Sequence, residues 1–184
     1  NEILPLINHG HEHFGENKVQ EALEKWTTIK DNFNHIKLHM IGGLQTNKVK
    51  YAVKLFDYIH SLDSLRLAEK ISIEQKKINK SLKIFIQVNI GEEDQKLGIE
   101  IINLENFYEI CVKKLDLDII GLMCLPPKNK DNTEYFSKMK DLASKIGVKQ
   151  LSMGMSADYI QASNLGSTFI RVGSNIFGER FKKS

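Results

Sequence analysis

The residues best suited to chemistry in this 184-residue chain lie near its C-terminal end, in two short segments, Ser152-Met-Gly-Met-Ser156 and Arg171-Val-Gly-Ser174. Each combines a glycine, which lets the backbone approach a ligand closely, with a serine hydroxyl able to donate a hydrogen bond. Such loops suit an anion, above all a phosphate, with the backbone N–H groups opening a short helix after Ser156 as further donors. Taken singly, either loop is equally well explained by a turn glycine and a helix-capping serine. Arg171 adds a fixed cation. In a strand reading, Phe169, Arg171 and Gly173 share one face and Ile170 and Val172 the other; with the apolar pair packed on helices, Arg171 points inward. A buried guanidinium must have a partner, and an internal salt bridge is the competing explanation. The chain uses 23 lysines but only three arginines, Arg66, Arg171 and Arg180, so two of its three planar, permanently charged donors fall at or just beyond this segment.

A second cluster of chemically able residues is His9, His11 and His13. Alternating histidines on a barrel strand can bind zinc, as in metal-dependent hydrolases, but such sites need ligands at later strand ends, and no histidine follows His60. Histidines at a helix end and a strand start are the plainer reading. A nucleophilic hydrolase is weaker still, since no GxSxG elbow occurs.

These residues must be positioned by alternating elements. Short segments rich in Ile, Val or Phe and ending at turn residues predict strands at 11–15, 37–42, 58–62, 83–90, 118–124, 150–155 and 167–173. Helical patterns occupy 2–9, 16–30, 45–56, 64–77, 99–113, 132–146 and 157–164. Leu23, Trp26 and Ile29 recur at helical spacing, and Leu65, Ala68 and Ile71 share one helix face. Strict β-α alternation implies a parallel sheet covered by helices. Seven such units behind a leading helix predict an α/β chain of the TIM (β/α)8 barrel type whose first strand is missing, a chain that starts late. An open doubly wound sheet is the rival, but neither GxGxxG nor GxxxxGK[ST] is present to support it. In a barrel, the loops after the last two strands are a common phosphate site, which is where the two serine-glycine segments fall.

Composition narrows the classes further. Hydrophobic residues make up 41% and charged residues 27%, as in an ordinary globular domain, and one domain spanning 1–184 is expected. The net charge of +3 is spread over many lysines, which argues against a nucleic-acid partner. The longest apolar stretch, 119–127, falls well short of the roughly 18 residues of a membrane span. Cys111 and Cys124 lie in apolar runs without CxxC spacing, as reduced, buried thiols of a cytoplasmic protein do.

Several segments, in order, carry a family resemblance. His13-Phe-Gly-Glu-Asn17 with Val19-Gln-Glu-Ala22 resembles the HFGENYVQEA signature of the pyridoxal phosphate homeostasis proteins. His39-Met-Ile-Gly-Gly-Leu-Gln-Thr-Asn-Lys48 is similar to their HFIGxLQxNK segment, although Gly43 stands where relatives often have a bulkier residue. Further matches are 60–64, Val88-Asn89, Lys96-Leu-Gly98, Gly121-Leu-Met123, 152–156 and 171–178. The resemblance implies a barrel of the alanine racemase N-terminal-domain type that binds pyridoxal 5'-phosphate and buffers it in the cell. It implies that Ser156, Gly173 and Ser174 hold the phosphate beside the backbone of Met155, that Arg171 faces the pyridine nitrogen, and that Asn17 lies near the cofactor. The family also implies a Schiff-base lysine in an AVSK-type first strand, expected a few residues before Asn1; Lys18 and Lys48 sit at positions not used for it. The chain as it stands is therefore expected to bind the cofactor weakly and noncovalently, or not at all. The cofactor's electronics are set by the protein, and an arginine, unable to surrender a proton, leaves the ring a weak electron sink. A monomeric carrier or buffer, serving pyridoxal-phosphate-dependent client enzymes, is the expectation, with an amino-acid racemase-like enzyme as the alternative.

Overall fold

The computed structural model describes residues 3–93, 97–127 and 131–178. Among these residues, seven strands form one sheet in the order β1 to β7: His13–Glu16, Lys37–Met40, Tyr58–Leu62, Lys83–Val88, Asp118–Cys124, Gln150–Met155 and Phe169–Arg171. Every neighbouring pair is parallel. The helices are α1 (Leu4–Asn8), α2 (Val19–Asn32), α3 (Val49–Leu55), α4 (Leu65–Lys77), α5 (Leu104–Glu109), α6 (Thr133–Ile146), α7 (Tyr159–Asn164) and α8 (Ser174–Phe177). Strands 58–62, 118–124 and 150–155 match the sequence expectation; those at 11–15, 37–42, 83–90 and 167–173 are shorter or shifted, their predicted ends running into loops. The helix expected over 99–113 is broken into a 3-10 turn (Ile101–Asn103), α5 and a π-helical turn (Ile110–Lys114). Glu2, Lys96 and Arg180 lie outside the described residues.

The sheet curls into a nearly closed barrel. Its curvature shows in Phe169 of β7, whose ring reaches His13 of β1 (centroids 5.9 Å apart), Tyr58 of β3 (5.8 Å) and Phe85 of β4 (5.5 Å). Alternation along each strand separates two cores. Phe14, Leu38, Met40, Ile59, Ile84, Ile86, Leu151 and Met153 turn outward, beneath helices that supply Trp26, Ala68, Ile71, Phe136 and Met139. Burying each large side chain contributes about 1.5–3 kcal/mol, so this continuous outer core is the main source of stability. Tyr58, Phe85 and Met123 fill the interior with Phe169.

Two apolar residues are less buried than their faces suggest. Leu65 is 42% exposed, whereas Leu67, Ala68 and Ile71 are buried. Apolar residues at 65, 67, 68 and 71 allow two helical faces, and packing selects the one that also buries Gln75. Ile170 does face outward, opposite Arg171, but it is 45% exposed, because β7 is the last strand of the described sheet and the helix that packs there, α7, has six residues. No helix among the described residues is long and apolar enough to cross a membrane.

Candidate cofactor site

In a parallel barrel all strands end on the same face, so the loops after β6 and β7 are neighbours by construction. Their register pairs Met155 with Arg171, which brings the two serine-glycine segments side by side. Gly173 directs its backbone N–H toward Ser156 Oγ at 3.4 Å, and the Asn175 side-chain amide donates to the Ser156 carbonyl at 3.2 Å. Ser174 opens α8, with Gly173 as its N-cap, and the first-turn N–H groups of a helix have no acceptor within the helix. The loop after β6 departs from expectation. The following helix starts at Tyr159, not directly after Ser156, and Asp158 occupies its N-cap position. The Asp158 carboxylate accepts from the Met155 N–H (2.7 Å) and from the Asn132 side-chain amide (2.7 Å), pinning the loop to the start of α6. Ser156 is thus not a helix cap, and its hydroxyl is left facing Gly173.

Arg171 points into the barrel, as its place in the alternation requires. One Nη donates to Ser152 Oγ at 2.6 Å, and the other donates to the Cys124 carbonyl at 2.9 Å. Neither partner is a carboxylate, and among the described residues no internal salt bridge holds it. Burial pulls the guanidinium below its ordinary pKa, with Cys124 and Asp158 acting the other way.

Asn17 closes β1 on the same face but stands apart from this group. No hydrogen bond among the described residues joins its side chain to the β6 and β7 loops. Its backbone lies so close to Gly42 that a Cβ there would come within 2.3 Å of the Asn17 carbonyl oxygen, so a glycine is what allows the ends of β1 and β2 to meet. A side chain at Gly43, by contrast, would among the described residues meet only Leu97, at 3.7 Å, an ordinary contact. Lys18 is engaged by Glu21 at 2.7 Å.

Sequence reasoning missed that three polar residues of its motifs meet in the barrel interior. Ser152, His39 and His60 are buried within the barrel, linked to one another, to Arg171 and to His13. The signal was available: His39 stands between Leu38 and Met40, and His60 follows Ile59, so alternation alone turns both histidines inward. Among the described residues no group of three or more His, Cys, Asp or Glu is placed to hold a metal. The histidines that do converge are His13, His39 and His60 rather than His9, His11 and His13, and they spend ring nitrogens on one another.

Residues 1–181 match the family described as alanine racemase, N-terminal domain. A pyridoxal phosphate homeostasis protein of Aquifex aeolicus is 38% identical over 187 residues, covering 97% of this chain and 81% of the relative. Its counterpart from Escherichia coli K12 is 31% identical, covering 97% and 80%. Among solved structures, PipY of Synechococcus elongatus PCC7942 superposes with a TM-score of 0.89 at 33% identity, over 96% of this chain and 86% of that one. PipY has also been solved with pyridoxal phosphate bound, and that structure gives a TM-score of 0.87 at 32% identity, over 96% and 86% of the two chains. An alanine racemase of Clostridium difficile, 14% identical with a TM-score of 0.75 over 97% of this chain and 48% of that one, shares the fold. The chain belongs to the alanine racemase N-terminal-domain family and, within it, to the pyridoxal phosphate homeostasis proteins.

Proposed function

We propose that this protein binds pyridoxal 5'-phosphate in vitamin B6 homeostasis, as a carrier or buffer rather than a strong catalyst. The observation that carries the reading is Arg171, an inward guanidinium at the strand ends beside a cradle of donors, in a chain whose relatives are named for pyridoxal phosphate homeostasis. The donor set fits the cofactor. Ser156, Ser174 and the Gly173 N–H suit a phosphate, and among the described residues nothing lies within 4 Å of where a Cβ on Gly173 would be. Met155 borders it through its backbone, and Asn17 lines the same barrel face from β1.

When bound, the cofactor supplies an electron sink for carbanion chemistry. Arg171 works against that use, because a guanidinium at the pyridine nitrogen donates a hydrogen bond without surrendering its proton. Ser156, Ser174 and Gly173 orient the phosphate, and the Asp158 carboxylate, held by Met155 and Asn132, keeps the β6 loop in shape. One sheet and one principal core among the described residues favour a single domain over 1–184, and two free, buried cysteines favour the cytoplasm. Such a carrier acts as a monomer and passes cofactor to pyridoxal-phosphate-dependent client enzymes.

The test is an absorbance titration of the 184-residue chain with pyridoxal phosphate, beside unphosphorylated pyridoxal, followed by borohydride and mass analysis. Saturable, phosphate-dependent binding without a lysine adduct is expected, since residues 1–184 contain no AVSK-type segment. Identical behaviour toward the two vitamers would defeat the proposed phosphate site, and a trapped lysine would show that covalent capture needs no such segment.

A further inference from the structure

The barrel interior holds a continuous line of polar side chains that cofactor binding alone does not require. Arg171 Nη meets Ser152 Oγ at 2.6 Å, Ser152 Oγ meets His60 Nδ1 at 2.8 Å, His60 Nε2 meets His39 Nδ1 at 2.9 Å, and His39 Nε2 meets His13 Nδ1 at 2.9 Å. Arg171 is the last residue of β7 and His13 the first of β1, so the line crosses the barrel from the C-terminal ends of the strands to the N-terminal ends. His39 stacks on Tyr58 with centroids 4.1 Å apart, and His60 on Phe85 at 4.3 Å, which fixes both ring planes. Ser152, His60 and His39 expose only 0%, 1% and 4% of their surfaces, so water does not compete for these bonds.

The direction of every bond follows from the first. A guanidinium has only donors, so Ser152 accepts from Arg171. The Ser152 hydrogen then has one acceptor within reach among the described residues, His60 Nδ1, and turning it elsewhere would leave a buried hydroxyl unsatisfied. With Nδ1 accepting, His60 carries its proton on Nε2 and donates to His39 Nδ1; the same step repeats from His39 to His13. A charged ring in the middle would reverse the bonds on one side and place a cation in an apolar interior.

We propose that Ser152, His60, His39 and His13 form a one-way hydrogen-bond chain that fixes the three imidazoles as neutral Nε2–H tautomers and holds Arg171 in place as a pure donor. They are positioning residues, because they act through Arg171, the member of the line at the C-terminal strand ends; the inference rests on the cofactor reading solely for what Arg171 points at. Nitrogen-15 NMR of the histidine-labelled chain, at neutral pH and without cofactor, tests it. His13, His39 and His60 are each expected to show an unprotonated-type Nδ1 and a protonated-type Nε2, and a predominant Nδ1–H form at His39 or His60 overturns the proposal in the unmodified protein. Ser152→Ala should abolish the single-tautomer pattern at His60, an effect that loss of packing alone would not produce; an unchanged His60 in that variant also overturns it. The Nε2–H pattern in a chain that fails to bind pyridoxal phosphate would uphold the hydrogen-bond chain and defeat only the cofactor reading.

Discussion

Gly173 presents its backbone N–H to the Ser156 hydroxyl across 3.4 Å, joining the loops that follow β6 and β7. With Ser174 beside them, these groups are the donors proposed for the phosphate. A charge-assisted hydrogen bond is worth roughly 1.5–3 kcal/mol, and each 1.4 kcal/mol is about a factor of ten. Replacing both Ser156 and Ser174 with alanine should weaken pyridoxal phosphate binding by about 100-fold, while pyridoxal binds as before. Equilibrium dialysis with the two vitamers checks this, and a parallel loss for both would place the serines away from the phosphate.

Arg171 spans two strands, with Ser152 on β6 and the Cys124 carbonyl at the end of β5. Lysine keeps the charge but lacks the planar fork that serves both acceptors. Arg171→Lys is expected to lower stability by about 1–3 kcal/mol, read as a shift of the urea midpoint with unchanged slope. A midpoint equal to that of the parent chain would mean that the two bonds are not held in solution.

The sheet was legible because its strands are short, β-branched and punctuated, and because β-α alternation admits few topologies. The meeting of the two serine-glycine loops was legible for the same reason: once strands six and seven are placed, Ser156 and Gly173 must be neighbours. Arg171 could be aimed inward by alternation, but its partners could not be named, since Ser152 and the Cys124 carbonyl depend on register and curvature. The histidine line was hidden for a related reason. His13, His39, His60 and Ser152 come from four strands and meet only when the sheet curls. The start of α7 was misplaced because Asp158, rather than Ser156, stands at its N-cap.

Acid should destabilise the fold through its buried histidines. Burial pushes the pKa of His39 down to about 3 and that of His60 well below 6.5, in each case helped by a neighbouring histidine. Between these values and 6.5 the unfolded chain binds more protons than the folded one, so stability rises with pH and is fully present above about 6.5. Each histidine contributes a slope of up to about 1.4 kcal/mol per pH unit as pH falls below that value. Urea unfolding between about pH 6.5 and 5, above the ordinary carboxylate range, should show this loss, and His39→Phe should reduce the slope by about one proton. A pH-independent midpoint across that interval would refute neutral burial of these rings.

Cys111 and Cys124 are both buried, and desolvation pushes each thiol up to about 12. The thiolate is the reactive form, so both should resist alkylation in the native protein at pH 8 and react together once urea unfolds it. Labelling followed by mass spectrometry provides the count. Fast modification of either cysteine without denaturant would contradict its place in the packed core.

Two glycines of the cradle make opposite demands, which separates folding from binding. Gly154 has φ +92°, and a Cβ there would come within 2.6 Å of the Ala162 Cβ and 3.1 Å of the Tyr159 Cα, so a methyl would both strain the backbone and push α7 away from β6. Gly154→Ala should cost about 2–4 kcal/mol, combining a left-handed penalty with overpacking. Gly173 has φ −129°, and among the described residues nothing lies within 4 Å of its Cβ position, so Gly173→Ala should leave stability within about 0.5 kcal/mol of the parent. Any loss of pyridoxal phosphate affinity in Gly173→Ala must then come from the methyl occupying the cradle itself. Thermal unfolding and dialysis on the two variants should give opposite profiles, one unstable and one stable but weak in binding; full affinity in a stable Gly173→Ala variant would move the phosphate off that loop.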